Sequence, residues 1–184
     1  RGTSNATTMR YSRATGRTFD GQRQGFGRAV AGSTTTVRIA GRGAVPTNAS
    51  APIINVAVIN PENNGFVTVH PCLATRPTAS SLNFVAGVNR ANELVARVNS
   101  SGDVCIYTDQ DTDLIVDVVG YVAAGSDLVS VDAARFVDTR TSGSTMDGAL
   151  RGGGKRAAGS TTAVPIAGRG AVPAGAVAAI VNIA

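Results

Sequence analysis

The sequence predicts an all-β protein: an antiparallel β-sandwich, jelly-roll or immunoglobulin-like, arranged in tandem repeat units. Three observations predict it. Residues 31–46 read AGSTTTVRIAGRGAVP and residues 158–173 read AGSTTAVPIAGRGAVP, an internal match at an offset of 127 with 14 of 16 positions identical. Short apolar or alternating runs recur at roughly 8–15-residue spacing between Gly, Pro, Asn and Asp clusters, with no helical period anywhere. Finally, the apolar residues are mostly Val, Ala and Ile; Thr, Ser, Asn and Gly fill the rest; aromatics make up 4% and Trp is absent, a mix suited to short strands and tight turns.

The match extends without a gap in both directions. Ile53 falls on Ile180, Asn55 on Asn182, Asp20 and Gly21 on Asp147 and Gly148, and Arg13 on Arg140. The expected organisation is a lead-in over 1–8, a complete β repeat over 9–122, a linker over 123–131 and the first part of a second repeat over 132–184. The chain opens at Arg1 without Met, as a processed or partial product does.

Met9–Arg13 is the first strand candidate, and residues 14–27 are a long polar, Gly-rich loop. Ser33–Ala40 alternates, with Val37 and Ile39 on one side and Thr36 and Arg38 on the other. The second copy has Pro165 where the first has Arg38, which places this position at a sheet edge or strand end, where no ladder bond is donated. Ile53–Ile59 is apolar apart from Asn55 and reads as a central strand buried on both faces. Phe66–His70 follows the turn Pro61–Gly65, and the two runs together read as a β-hairpin. Ser80–Val85 is a short strand. Glu93–Asn99 and Val104–Thr108, joined by Asn99-Ser100-Ser101-Gly102, read as a second hairpin. Asp109–Asp113 is an acidic turn, and Leu114–Val122 is the last and most apolar strand. The second copy is expected to hold the equivalents of Met9–Arg13, Ser33–Ala40 and Ile53–Ala57, whose apolar residues Val177, Ile180, Val181 and Ile183 then need covering.

Arg135-Phe136-Val137-Asp138-Thr139-Arg140, AGRGAVP, NPENNGFVTVHPC, RPTASSLNFVAG, VCIY and LIVDVVGYV cover nearly the whole chain. Together these motifs resemble a repeat of secreted cell-surface proteins from GC-rich Gram-positive bacteria and their relatives. The resemblance implies units that occur in tandem or appended to secreted enzymes, with no catalytic role of their own. One departure is that the first copy carries Tyr11 where the second carries Asp138.

Cys72 and Cys105 are either two buried free thiols or one disulfide closing a loop of about 33 residues, worth roughly 3 kcal/mol by chain entropy. The disulfide is the favoured reading and implies an oxidising compartment. The resemblance includes this pair of cysteines and so supports the bridge.

Candidate sites are few. Asp138 and Arg140 share a strand face and form either a binding site or a structural ion pair. Arg42 and Arg169 sit between glycines in both copies, where a planar guanidinium can grip an anion, contact a neighbouring repeat or bond to local carbonyls. Asp109, Asp111 and Asp113 form half of a calcium loop, but Leu114 stands where that loop needs Gly and no Glu completes it. The triplets at Asn5, Asn48 and Asn99 fit the N-glycosylation pattern. His70 is the sole histidine, Glu62 and Glu93 are the sole glutamates, and no nucleophile motif is present, so neither enzyme activity nor a cofactor is expected.

The net charge of +5 comes from sixteen scattered Arg and one Lys, Lys155. Such a ratio follows GC-rich coding as readily as selection for charge. There is no basic stripe with interleaved aromatics, so nucleic acid is not an expected partner. No apolar run is long enough to span a bilayer. The expected function is a non-enzymatic, secreted or cell-surface structural repeat building an array or filament, with itself as head-to-tail partner. The alternative is an adhesion module for cell-wall polymer or polysaccharide.

Overall fold

A computed structural model describes residues 7–11 (by backbone), 17–22, 25–72, 75–123, 125–129 and 131–183. Two compact units divide these residues. One comprises residues up to 76 together with 80–130; the other comprises 77–79 and 131–183.

The first unit is all-β. Its strands are β1 (Thr7–Tyr11), β2 (Thr34–Arg38), β3 (Ala51–Ile59), β4 (Gly65–Pro71), β5 (Leu82–Phe84), β6 (Arg90–Val95), β7 (Asp103–Thr108) and β8 (Asp113–Val122). Two antiparallel four-stranded sheets result. Sheet I runs β1-β8-β3-β6 and sheet II runs β2-β7-β4-β5. The alternation in the sequence builds the core between them. Ile54, Val56 and Val58 of β3 and Leu114, Val116 and Val118 of β8 pack in one cluster with Val37, Val67, Val69, Val104 and Ile106 of sheet II. Each such side chain stabilises the fold by roughly 1.5–3 kcal/mol on burial.

Both expected hairpins are corrected by this topology. β3 has one edge occupied by β6 and the other by β8, so β4 finds no free edge there and crosses to sheet II. β7 is likewise flanked by β2 and β4, which leaves no place for β6. The turns exist, but they pass between sheets. Asn60 takes a left-handed φ of 48° and donates its N–H to Asn89 Oδ1 at 2.8 Å, while Glu62 donates to the Asp111 carbonyl. Among consecutive strands only β4 and β5 share a sheet as neighbours.

Other expectations shift by residues. β3 is central, but only alternate residues are fully buried, because its outward side chains lie on a partly covered sheet face. β6 starts at Arg90 and ends at Val95, ahead of the expected Glu93–Asn99. Its ladder with β3 stops at Ile53, because Pro52 has no N–H to return to Ala96. β2 forms the edge of sheet II and Arg38 is its last residue, as the exchange with Pro165 requires. Of the Met9–Arg13 candidate, Ser12 and Arg13 lie outside the described residues.

The second unit forms none of the three strands expected of it among its described residues; one isolated bridge joins Asp138 to Arg151. The reason is pairing. β1 needs β8, β2 needs β7, and β3 needs both β6 and β8. Residues 131–183 hold no equivalent of β6, β7 or β8, so their backbone has no ladder to join. Ile183 is consequently 90% exposed, whereas its counterpart Val56 is fully buried.

Candidate functional site

Arg42 is buried, and its partner is an acid 22 residues earlier. Its Nε donates to Asp20 Oδ2 at 3.0 Å and its Nη2 to Oδ1 at 2.8 Å, while Nη1 donates to the Arg38 carbonyl at 2.9 Å. The guanidinium also lies 5.4 Å from the Phe19 ring centroid. Asp20 is held in turn by a tight local loop, in which its Oδ1 accepts the Gln22 N–H at 3.1 Å. The Arg42 hydrogen bonds, followed by that backbone bond, keep the Asp20 carboxyl below the usual carboxylate range despite partial burial.

The second unit contains the same clamp. Arg169 Nε donates to Asp147 Oδ2 and Nη2 to Oδ1, both at 2.8 Å, and Nη1 donates to the Pro165 carbonyl at 2.9 Å. Ala149 N–H caps Asp147 Oδ1 at 3.1 Å. The surrounding turn matches bond for bond: Gly41 to Val45 and Gly168 to Val172, Arg42 to Ile39 and Arg169 to Ile166, Val45 to Arg42 and Val172 to Arg169. Gly41 and Gly168 have φ of 78° and 76°, a left-handed conformation that explains the leading glycine of Gly-Arg-Gly. Because the clamp uses only the carbonyl of residue 38 or 165, it accepts Arg or Pro equally. Arg42 and Arg169 thus engage their guanidinium donors inside their own units. Arg169 holds Asp147 at a pKa of about 2, mainly through its side-chain hydrogen bonds, and its own pKa rises for the same reason.

Asp138 and Arg140 are brought together. Asp138 is buried; Arg140 donates Nε to Oδ1 at 2.9 Å and Nη2 to Oδ2 at 2.6 Å, and Arg135 adds Nη1 to Oδ2 at 3.1 Å. The Arg140 bonds drive the Asp138 pKa well below the usual range. Asp109, Asp111 and Asp113 are not brought together. Asp109 Oδ1 accepts the Phe66 N–H at 2.7 Å, Asp111 Oδ1 accepts the Ala31 N–H, and Asp113 lies 3.8 Å from Arg28. Gly65 makes room for the first of these, since a Cβ there would stand 2.3 Å from Asp109 Oδ1. Among the described residues no group of three acids, histidines or cysteines is placed to hold a metal ion. Asn99 directs its Oδ1 to the N–H groups of Ser101 and Asp103, and Asn5 lies outside the described residues.

Cys72 and Cys105 form a disulfide with a Cα–Cα distance of 5.0 Å. It ties the chain just after β4 to the middle of β7, on the outward face of sheet II. Arg76, four residues beyond Cys72, lies 3.5 Å over the ring centroid of Tyr107, two residues beyond Cys105. Around them is a depression of about 480 Å³ lined by Gly32, Thr34, His70, Cys72, Arg76, Cys105 and Tyr107. His70 shares a register position with Cys105, and Thr34 shares one with Tyr107.

The 127-residue offset matches Asp20 with Asp147 and Arg42 with Arg169, and an acid and an Arg that recur together are the sequence signal of the clamp. The Arg76–Tyr107 stack carried no local signal, because it depends on the register of β2, β7 and β4. No described helix is long and apolar enough to cross a membrane. Comparison with models of known protein families and with curated protein sequences finds no match.

Proposed function

We propose that this chain is a non-enzymatic structural repeat of the secreted, cell-surface kind its motifs resemble, and that its units assemble head to tail into an array or filament. The strand orders β1-β8-β3-β6 and β2-β7-β4-β5 favour a jelly-roll unit over an immunoglobulin-like one, since successive strands other than β4 and β5 alternate between sheets. One observation carries the reading. The second unit rebuilds the clamp and turn of the first bond for bond, at an offset of 127 residues along the chain. Local structure that recurs together with its sequence is what units stacked on neighbours of the same pattern require. The disulfide supports an oxidising, extracellular setting.

Negative-stain electron microscopy of native material tests this. Ordered assemblies with a constant axial repeat are expected. Dispersed monomers that sediment with purified cell wall would instead favour the adhesion module.

A further inference from the structure

We propose that the glycine-rich loop of the second unit, residues 150–156, forms with Arg140 a docking surface for a polymer that carries phosphate groups along its backbone. The surface belongs to the second unit alone, and the proposal goes beyond the array reading without depending on it.

Charge is concentrated there. Residues 131–183 hold six cations against three acids, so this unit carries +3 of the chain's +5. Two of the acids are engaged: Asp138 by Arg135 and Arg140, and Asp147 by Arg169. Arg151, Lys155 and Arg156 are exposed and have no carboxylate partner among the described residues. Arg140 commits Nε and Nη2 to Asp138, yet its side chain is 70% exposed.

The loop geometry gathers these side chains. Leu150, Gly152 and Gly154 take left-handed φ of 54°, 69° and 73°, so the chain reverses its sense at every second residue. The turns lay the loop along residues 138–139. Asp138 N–H donates to the Leu150 carbonyl at 3.1 Å, Gly152 N–H to the Asp138 carbonyl at 2.9 Å, and Gly154 N–H to the Thr139 carbonyl at 2.7 Å. Arg140, next in the chain, therefore stands beside the loop cations. Gly153 gives Arg156 its seat: a Cβ there would overlap Arg156 Nη2, so the guanidinium lies against the loop backbone.

Comparison with the first copy shows what is particular to this surface. Arg151 and Arg156 stand where that copy has Gln24 and Ala29. Lys155 stands where it has Arg28, whose Nη2 donates to the Asn60 and Asp111 carbonyls. Guanidinium groups grip phosphate oxygens in pairs, and a row of exposed cations suits a ligand that repeats its charge. Phe136 is the sole aromatic residue of 131–183, and Arg169 lies 5.0 Å over its ring centroid. No other ring is at hand to stack a base or a sugar, which favours the phosphate backbone itself as the recognised group.

The test is a calorimetric titration of the full chain with inorganic polyphosphate, polygalacturonate and oligothymidylate at equal charge concentration, with the Gly152, Gly153 and Gly154 amide signals followed by NMR. Polyphosphate is expected to bind with a dissociation constant on the order of 10 μM at low salt, to shift the three signals, and to bind more tightly than the other two polymers. The triple variant Arg151→Gln, Lys155→Gln, Arg156→Gln removes exposed charges and leaves the core intact. It is expected to weaken binding about tenfold and to lower the salt slope by about 2. The matched triple variant Arg17→Gln, Arg90→Gln, Arg97→Gln removes the same charge from the first unit and is expected to weaken binding by less than about twofold. Equal weakening by the two variants overturns the proposal, since it marks attraction by net charge alone. So does saturation by polyphosphate that leaves the three glycine signals in place, or no binding up to about 1 mM. Tighter binding of oligothymidylate or of polygalacturonate overturns the assignment to a phosphate polymer.

Discussion

Arg42 and Asp20 meet through two donors and two acceptors at 2.8–3.0 Å, and Arg169 and Asp147 repeat that geometry at the same chain separation of 22 residues. The pair links a polar loop to the Gly-Arg-Gly turn that follows the edge strand. It therefore fixes how the chain leaves that strand, in a region with little apolar material.

Removing the acid in the first unit is expected to be costly. Asp20→Ala leaves the buried Arg42 guanidinium without its carboxylate, a loss on the order of 2 kcal/mol. Arg38→Ala removes the half-exposed Arg38 from its pair with Asp103 and is expected to cost about 1 kcal/mol, less than the loss of Asp20. Urea denaturation of the two variants checks the contrast.

Acid titration offers a second check. Asp147 is depressed in the folded chain, so its contribution is present above its ordinary pKa of about 3.9 and is lost as pH falls through the folded value. Carboxyl carbon NMR is expected to show a midpoint near the folded value of about 2. Arg169→Gln should return that midpoint to the ordinary range; an unchanged midpoint would assign the shift to another cause.

The disulfide closes 33 residues of chain between β4 and β7. Replacing Cys72 and Cys105 with serine is expected to lower stability by about 3.7 kcal/mol in the chain-entropy model. Equilibrium denaturation measures the loss, and intact mass under non-reducing conditions establishes the starting state.

Ile54 and Val181 occupy matching positions, yet Ile54 is fully buried and Val181 is 57% exposed. Ile54→Ala is expected to cost about 2–5 kcal/mol. Val181→Ala in this chain should change stability by less than about 0.5 kcal/mol. In an assembly that covers residues 177–183 the second substitution becomes destabilising, so comparing assembled with dispersed material measures that cover directly.

Sheet class, and in the first unit strand number, were legible in the sequence because alternation at Ser33–Ala40 and the apolar run at Leu114–Val122 are local. Pairing was not. The run 53–59, the turn at 61–65 and the run 66–70 fit a hairpin as well as a crossing between sheets. What decides is that β6 and β8 already hold both edges of β3, a fact spread along the chain from Ala51 to Val122. The same limit governs the sites. Cys72 and Cys105 announce themselves by residue type, whereas Arg76 gains its meaning only from the register that sets Tyr107 beneath it.

The antiparallel pairing of β1 with β8 has a mechanical consequence. Thr7 opposes Val118, so the chain enters and leaves the first unit at one end of sheet I. A pull on Thr7 and Val122 therefore peels the two strands apart one hydrogen bond at a time, where opposite attachment points would load all the bonds together. The unit is expected to yield at low force in single-molecule stretching. Its contour length on rupture should grow by about 110 Å when the Cys72–Cys105 bridge is reduced, the extended length of the locked segment.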